Sequence, residues 1–443
     1  MIYNLLGFVA IMVIITILAF NRDMIAPAFL LNSAFLAATF CACLYADKWK
    51  FSSSKLIWVV LCGLSGFTLF SFIVYFLDCG WKKPVSFECN AIELSNVKLI
   101  VYIFVQLIIY VGTLWQIIQN VGSFSNLDNL SVKIALYYEL VHNDEIKYSN
   151  FYIGLAQTIN FSGIYFFIYC AICNIIYKGK KQFLTYLNII IGIIGSLLTG
   201  TKTAFYMYSI GAFIMFVILM QRKRGWTIHI NIKIINRIFI LLIVLLLSFG
   251  IINSMQGRVL SEYEAKDVLA TYLGSPIKNL EIFIEEHRQS NEIFGAQTFK
   301  YTYNDIYNIT HNNKYLIKSM DDYHWINSYP LGNVYTFFRA PYYDFGMYGV
   351  FIISGIAGAF SQKMYDIVRY KKKKKLFDMS VLFYAYISFS VVFCFFSNKF
   401  FESVLSKSSV YFLIGCWLFE LFFIKLKVEK NKIYLSKNGE KTK

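Results

Sequence analysis

LIWVVLCGLSGFTLFSFIVYFL, residues Leu56–Leu77, runs for 22 residues without a charge, and its length decides the fold class. A helix needs about 20 apolar residues to cross the hydrocarbon layer of a bilayer. The run is continuous, whereas the strands of a membrane barrel alternate apolar and polar residues over about ten positions. Working outward, the same kind of run recurs along the chain, at 2–20, 24–45, 56–77, 97–119, 152–177, 183–200, 204–220, 238–255, 345–368, 381–397 and 408–424. The expected fold is an all-α polytopic membrane protein of about 11 transmembrane helices, within a range of 10–12.

Composition agrees. The chain is 57% apolar and 15% charged, far from the roughly one-quarter charged residues of soluble domains. Its formal charge of +16 does not call for nucleic acid, because 22 of the 42 Lys and Arg residues fall in four segments, 178–182, 221–237, 363–375 and 425–443. Each adjoins an apolar run, where basic residues hold a loop on the cytoplasmic side; Lys371–Lys375 is the plainest example.

Counting spans from these anchors puts the C-terminus inside and residues 256–342 outside, with the N-terminus also outside. Residues 46–55 then face outward despite Lys48, Lys50 and Lys55, against the positive-inside tendency. The chain divides into an N-terminal bundle of about eight spans (1–255), a large external loop (256–342), about three C-terminal spans (343–424) and a basic cytoplasmic tail (425–443). No cleavable leader is expected, since the first run begins at Ile2 without a basic segment before it.

Of the 9 cysteines none lies in 256–342, so disulfides are not expected to hold the outer part. Cys170 and Cys173 share the spacing of a redox pair but lie mid-span, where packing is the plainer reading. Cys79 and Cys89 share a loop assigned to the reducing side.

The loop 256–342 holds 8 Lys or Arg against 10 Asp or Glu. Short helices are expected over Ser261–Leu269 and Leu280–Arg288, with Ser275 and Pro276 marking a helix start. Three other segments are expected to share its side: 120–151, in which Val132–Val141 is amphipathic, the Thr201-Lys202-Thr203 turn, and 398–407. Aromatic residues recur at Phe294, Phe299, Tyr301, Tyr303, Tyr307, Tyr323 and Trp325, suited either to a small core or to stacking on sugar rings. No Walker loop, dinucleotide fingerprint, zinc spacing or nucleophile elbow is present, so neither a cofactor nor a metal site is expected.

Three cations stand out. Lys202 lies between hydroxyls in Gly200-Thr201-Lys202-Thr203, either a simple turn or an anion site. Arg258 opens the loop and Arg339 closes it, at a depth suited to a lipid-linked phosphate or to ordinary interfacial anchoring. Asn333-Val334-Tyr335-Thr336 precedes Arg339, and Tyr343-Asp344-Phe345-Gly346-Met347-Tyr348-Gly349 runs into the ninth span. Asp344 is either a helix cap or a reactive carboxylate, and Gly346 and Gly349 allow close helix packing.

With these landmarks in order, together with Tyr272-Leu273-Gly274-Ser275-Pro276 and Phe294-Gly295-Ala296-Gln297-Thr298-Phe299, the chain resembles the Wzy-type polysaccharide repeat-unit polymerases. The likeness covers motifs over 190–360 and hydropathy over the whole chain. It departs at Lys202, where the family usually has Arg, so a point charge replaces a bidentate fork.

The resemblance implies a helical fold similar to lipid-sugar (GT-C-like) transferases in the bacterial inner membrane, with the large loop periplasmic. It implies a glycosyltransferase that polymerises undecaprenyl-diphosphate-linked repeat units into O-antigen or a related surface polysaccharide, without a metal. Donor and acceptor are both lipid-linked glycans, and a chain-length regulator is an expected partner. Arg258, Arg339 and Lys202, flanked by Thr201 and Thr203, would stabilise the departing diphosphate. Asp344, Glu262 or His324 would take the acceptor proton, and Asn333 and Tyr335 would contact substrate. An oligosaccharide ligase shares this chemistry; a lipid-linked sugar flippase would instead need ionisable residues along its spans, which read as almost free of charge apart from Glu420.

Overall fold

The structure, a computed structural model, describes residues 1–79, 84–85, 90–122, 129–142, 150–226, 270–286, 293–326, 329–370, 376–429 and 432–435. The expected span 238–255, the helix expected over 261–269, and both Arg258 and Glu262 lie outside these residues.

The helices are α1 (Ile2–Ala19), α2 (Pro27–Cys43), α3 (Ala46–Trp49), α4 (Ser54–Cys79), α5 (Asn96–Gly122), α6 (Leu130–His142), α7 (Phe151–Ile176), α8 (Phe183–Ser196) and α9 (Thr203–Lys223). They continue with α10 (Ser275–Glu286), α11 (Lys300–Thr310), α12 (Arg339–Tyr370), α13 (Met379–Val392), α14 (Lys399–Val404) and α15 (Lys407–Phe419). Among the described residues seven helices are long and apolar enough to cross a membrane, and Pro27–Cys43, Phe183–Thr199 and Met379–Phe395 are shorter apolar helices. Together these ten occupy every expected span except 238–255. The all-helical expectation misses two hairpins: β1 (His324–Ile326) with β2 (Tyr329–Gly332), and β3 (Leu426–Glu429) with β4 (Lys432–Leu435).

Burial separates central from peripheral helices. The most apolar window of α7 is 83% buried and that of α1 22%. On α5, Val97, Phe104, Ile108, Val111 and Trp115 are all exposed; an apolar strip of this length is unstable against water but not against lipid tails. Among the described residues the interior holds two large apolar clusters and a small third one of Ile117, Val121, Ile134 and Tyr137 between α5 and α6. One large cluster packs α7 and α9 against α13 and α15, around Phe166, Phe167, Tyr165 and Phe419. The other packs α1, α2, α4 and α12, around Phe35, Phe67, Phe338 and Val350.

Contact between α4 and α12 is backbone to backbone. A Cβ at Gly66 would lie 2.3 Å from the Phe351 carbonyl oxygen, and one at Gly358 would lie 2.3 Å from that of Phe67. Small residues allow this approach, which dispersion then rewards. The packing role expected of Gly346 and Gly349 thus belongs to Gly66 and Gly358. Gly346 instead breaks α12, with φ 66 and ψ −156, a conformation closed to L side chains. At Gly349 a Cβ would meet Phe345 Cβ at 2.1 Å, across that break.

Uncharged polar groups tie α5, α7 and α8 together. Tyr102 and Gln106 donate to Asn160 Oδ1 at 2.7 and 3.0 Å, and Asn160 Nδ2 donates to Tyr110 at 2.6 Å. Cys170 and Cys173 are buried on α7 outside any disulfide, packing residues as expected; Cys89 is outside the described residues.

The connections sort to the two ends of the bundle. Residues 46–55 meet the 270–342 segment: Lys48 donates to the Tyr329 hydroxyl at 2.6 Å, and Glu281 accepts from Ser52 and Ser53 N–H at 2.8 and 2.6 Å. Of the three lysines in this segment, Lys48 has a side-chain partner in the large loop, so 46–55 and 270–342 share one end of the bundle. Residues 398–407 join the same end, where Asn398 donates to the Thr298 carbonyl and Thr302 to that of Leu405. At the far end Val85 N–H donates to Arg369 O, and Trp226 donates to Val85 O.

That far end corrects the expectation of nearly charge-free spans. Arg222 pairs with Asp378 at 2.8 Å and Lys363 with Asp78 at 2.8 Å, while Asp366 is 1% exposed and accepts from Gln362 at 3.0 Å. Lys363 and Asp366 lie in the expected span 345–368, and the partner of Lys363 is far away in sequence.

Candidate functional site

At the loop end, the broken helix α12 begins with Arg339, held by three other segments. Its Nη1 donates to Met320 O at 2.8 Å and its Nη2 to Asp321 Oδ1 at 2.6 Å. The guanidinium lies 4.3 Å from the Tyr335 ring and 5.6 Å from that of Phe283 on α10. A planar cation stacked on aromatic faces keeps its donors in a fixed fork.

Tyr335 is buried, and its hydroxyl donates to Asp322 O at 2.9 Å. Burial pushes its pKa up, so it remains a neutral donor. Asp321 also lies 3.7 Å from Lys300 Nζ, which donates to Ser319 Oγ at 2.8 Å. Burial works against the Asp321 carboxylate, but Arg339 and then Lys300 hold its pKa below the usual range. Burial pushes the Lys300 ammonium pKa down, with Asp321 opposing.

Lys300 is a site residue that sequence reading missed. It lies at the start of α11 with no local motif, and only the fold brings it to Arg339.

The 270–286 segment supports the hairpin carrying His324. Thr271 donates to Pro330 O at 3.0 Å, Ser275 to Leu331 O at 2.7 Å, and Asn279 to Val334 O at 2.8 Å. These bonds fix the Asn333–Thr336 string beside Arg339, with Asn333 half-buried in the turn. The helix start read at Ser275-Pro276 is present, and α10 takes in most of the expected 280–288 helix. His324 is 5.9 Å from Tyr335 between ring centroids, and its buried Nε2 has no hydrogen-bond partner among the described residues. Tyr323 and Trp325 form an exposed aromatic pair 5.4 Å apart.

Asp344 does not cap its own helix. Its oxygens accept from Gln297 N–H at 3.3 Å and Thr298 N–H at 2.7 Å, fixing the turn before α11 to α12. Both oxygens are engaged.

Lys202 occupies the N-cap position of α9 and is buried, with its Nζ 5.3 Å from the Tyr272 ring. Thr201 Oγ1 lies 3.2 Å from Thr199 Oγ1, and Thr203 begins α9. Gly200 adopts φ +73 with its missing Cβ directed at Tyr138 of α6, so the 130–142 helix packs against this turn. The Lys202 turn and the Arg339 cluster therefore share one end of the bundle, with Tyr272 of the large loop over Lys202.

Further along α12, Met347 and Phe351 join Phe8, Ile11 and Met12 of α1 and Trp58 and Leu61 of α4 around an open apolar groove of about 680 Å³. It lies beyond the Gly346 break, on the flank of the bundle. No family model matches the chain, no curated protein matches its sequence, and no solved structure matches it.

Proposed function

We propose that this chain is a glycosyltransferase that joins undecaprenyl-diphosphate-linked repeat units into O-antigen or a related surface polysaccharide, at the outer face of the bacterial inner membrane. One observation carries the reading: along α12, an apolar groove is followed by a helix break and then by a cluster of cations and aromatic rings. That succession suits a ligand with a long apolar chain, an anionic head and a sugar. The order of motifs in the sequence supports the same class.

The lipid chain lies in the groove, the diphosphate near Arg339 and Lys300, and the glycan against the exposed Tyr323 and Trp325, with Tyr335 buried behind Arg339 and holding its guanidinium in place. An acceptor hydroxyl attacks the anomeric carbon as the bond to the diphosphate oxygen breaks. The bonding electrons leave with the lipid diphosphate, whose growing charge the guanidinium and ammonium stabilise. We assign the acceptor proton to His324, whose Nε2 has no hydrogen-bond partner among the described residues, while the Asp344 oxygens hold Gln297 and Thr298 N–H. Asp344 is then a positioning residue, fixing α11 and Lys300 relative to α12. By the sequence resemblance, Arg258 and Lys202 would add to the cations for the diphosphate and Glu262 would be an alternative proton acceptor, Arg258 and Glu262 lying outside the described residues; a chain-length regulator is the proposed partner.

The flippase reading draws on the buried charges of Arg222, Asp378 and Asp366. These gather at the end away from the large loop instead of marking a path between the two ends, so transfer is the better fit. An oligosaccharide ligase differs only in its acceptor. Deleting the gene from its host and resolving surface glycan by gel tests the proposal: a lost ladder with one capped repeat unit retained supports polymerisation, whereas total loss of surface glycan contradicts it.

A further inference from the structure

We propose that Arg339, Lys300 and Ser319 form an oxyanion cradle that Asp321 fills with its own carboxylate, so that a diphosphate head enters by displacing the Asp321 side chain. This deepens the transfer reading above and rests on it for the identity of the ligand. Three donors meet at Asp321: Arg339 Nη2 at 2.6 Å, Lys300 Nζ at 3.7 Å and the Ser319 hydroxyl. A forked guanidinium, an ammonium and a hydroxyl around one pair of oxygens also match a phosphate group.

The two cations are more deeply buried than the acid. Arg339 is stacked on Tyr335, and Lys300 lies on α11 with its Nζ 4.9 Å from the Tyr301 ring. Both cationic side chains are 12% exposed, against 35% for Asp321, which sits in the irregular stretch between α11 and β1. The main chain on either side of Asp321 has its own anchors, since Arg339 Nη1 binds Met320 O and Tyr335 binds Asp322 O. Turning the Asp321 side chain outward therefore opens the cradle without moving its wall. While Asp321 is in place, apparent affinity for a phosphate is reduced by the fraction of molecules with the cradle open.

The test is titration of the full-length protein in lipid nanodiscs with inorganic pyrophosphate and, separately, with farnesyl diphosphate. Asp321→Asn is expected to bind both at least about tenfold more tightly than wild type, and adding Lys300→Gln is expected to remove the gain. A gain with farnesyl diphosphate alone would overturn the proposal, because the effect would then come from the lipid chain. Unchanged affinity in Asp321→Asn would also overturn it, and would leave the transfer reading intact if Arg339→Gln still abolished the glycan ladder. Should Asp321→Asn fail to fold, Asp321→Ser carries the same expectation, with a melting curve to establish folding.

Discussion

Arg339→Lys retains a positive charge at the start of α12 and removes the geometry that makes the charge specific. In the native protein two guanidinium nitrogens reach Met320 O and Asp321 at 2.8 and 2.6 Å while the plane stacks on Tyr335 at 4.3 Å. A lysine ammonium can keep one of those hydrogen bonds, so one charge-assisted bond is lost, worth about 1.5 kcal/mol at the lower end of its range. The lower end applies because the Asp321 side chain is 35% exposed and water screens the pair. Loss of planar stacking adds about 0.5 kcal/mol. The sum is near 2 kcal/mol, about 30-fold in any equilibrium or rate constant that uses the whole contact. The assay is polymer formed per minute by purified protein in nanodiscs, with thermal melting measured in parallel. The proposed diphosphate would meet the same fork in place of Asp321, so we expect turnover to fall by about 10-fold to 100-fold, and the melting temperature to fall as well, because the contacts to Met320 and Asp321 are lost from the folded protein. Turnover within twofold of wild type would refute the reasoning, because the bidentate, stacked geometry would then contribute nothing.

Gly358→Ala forces a Cβ to 2.3 Å from Phe67 O and should cost about 1–3 kcal/mol as overpacking, seen as a lower melting temperature, whereas Gly7→Ala, with nothing within 4 Å, should leave it unchanged. Arg222→Met removes the cation paired with Asp378, which is 3% exposed, and should cost about 3–5 kcal/mol; the double variant Arg222→Met/Asp378→Asn, which removes the charge and keeps an acceptor for Ser380 N–H at the start of α13, should recover most of the folded yield measured by size exclusion. The depressed Asp321 pKa makes its pairing contribute stability above the ordinary carboxylate pKa of about 4, and that contribution is lost as pH falls through the lower folded value. The melting advantage of wild type over Asp321→Asn should therefore be full at pH 7 and shrink below about pH 4; an advantage independent of pH would sink the assignment.

The membrane helices were legible because each reports itself locally. Leu56–Leu77 needs no partner to be recognised, and the Gly200-Thr201-Lys202 interruption separates α8 from α9 as plainly in sequence as in structure. Ser275-Pro276 likewise announced α10. What escaped depends on distant pairs. Lys300 joins Arg339 only through folding, and Lys363 is tolerated in α12 because Asp78 meets it from α4. The kink at Gly346 was half legible: two glycines three residues apart were visible, but whether they serve packing or a break depends on which helix faces them. The β1–β2 hairpin has strands too short to show alternation, and its position comes from side chains of the 270–286 segment.

The glycosidic bond formation proposed for this chain needs only the protein and a lipid-linked repeat unit, so a reaction given nothing else tests it. Purified full-length protein in nanodiscs is given a single synthetic lipid-diphosphate repeat unit, and polymer length and released lipid diphosphate are followed together. The account predicts a ladder of products with one lipid diphosphate released for each bond formed. Intact repeat units after prolonged incubation, with no lipid diphosphate released, would contradict it.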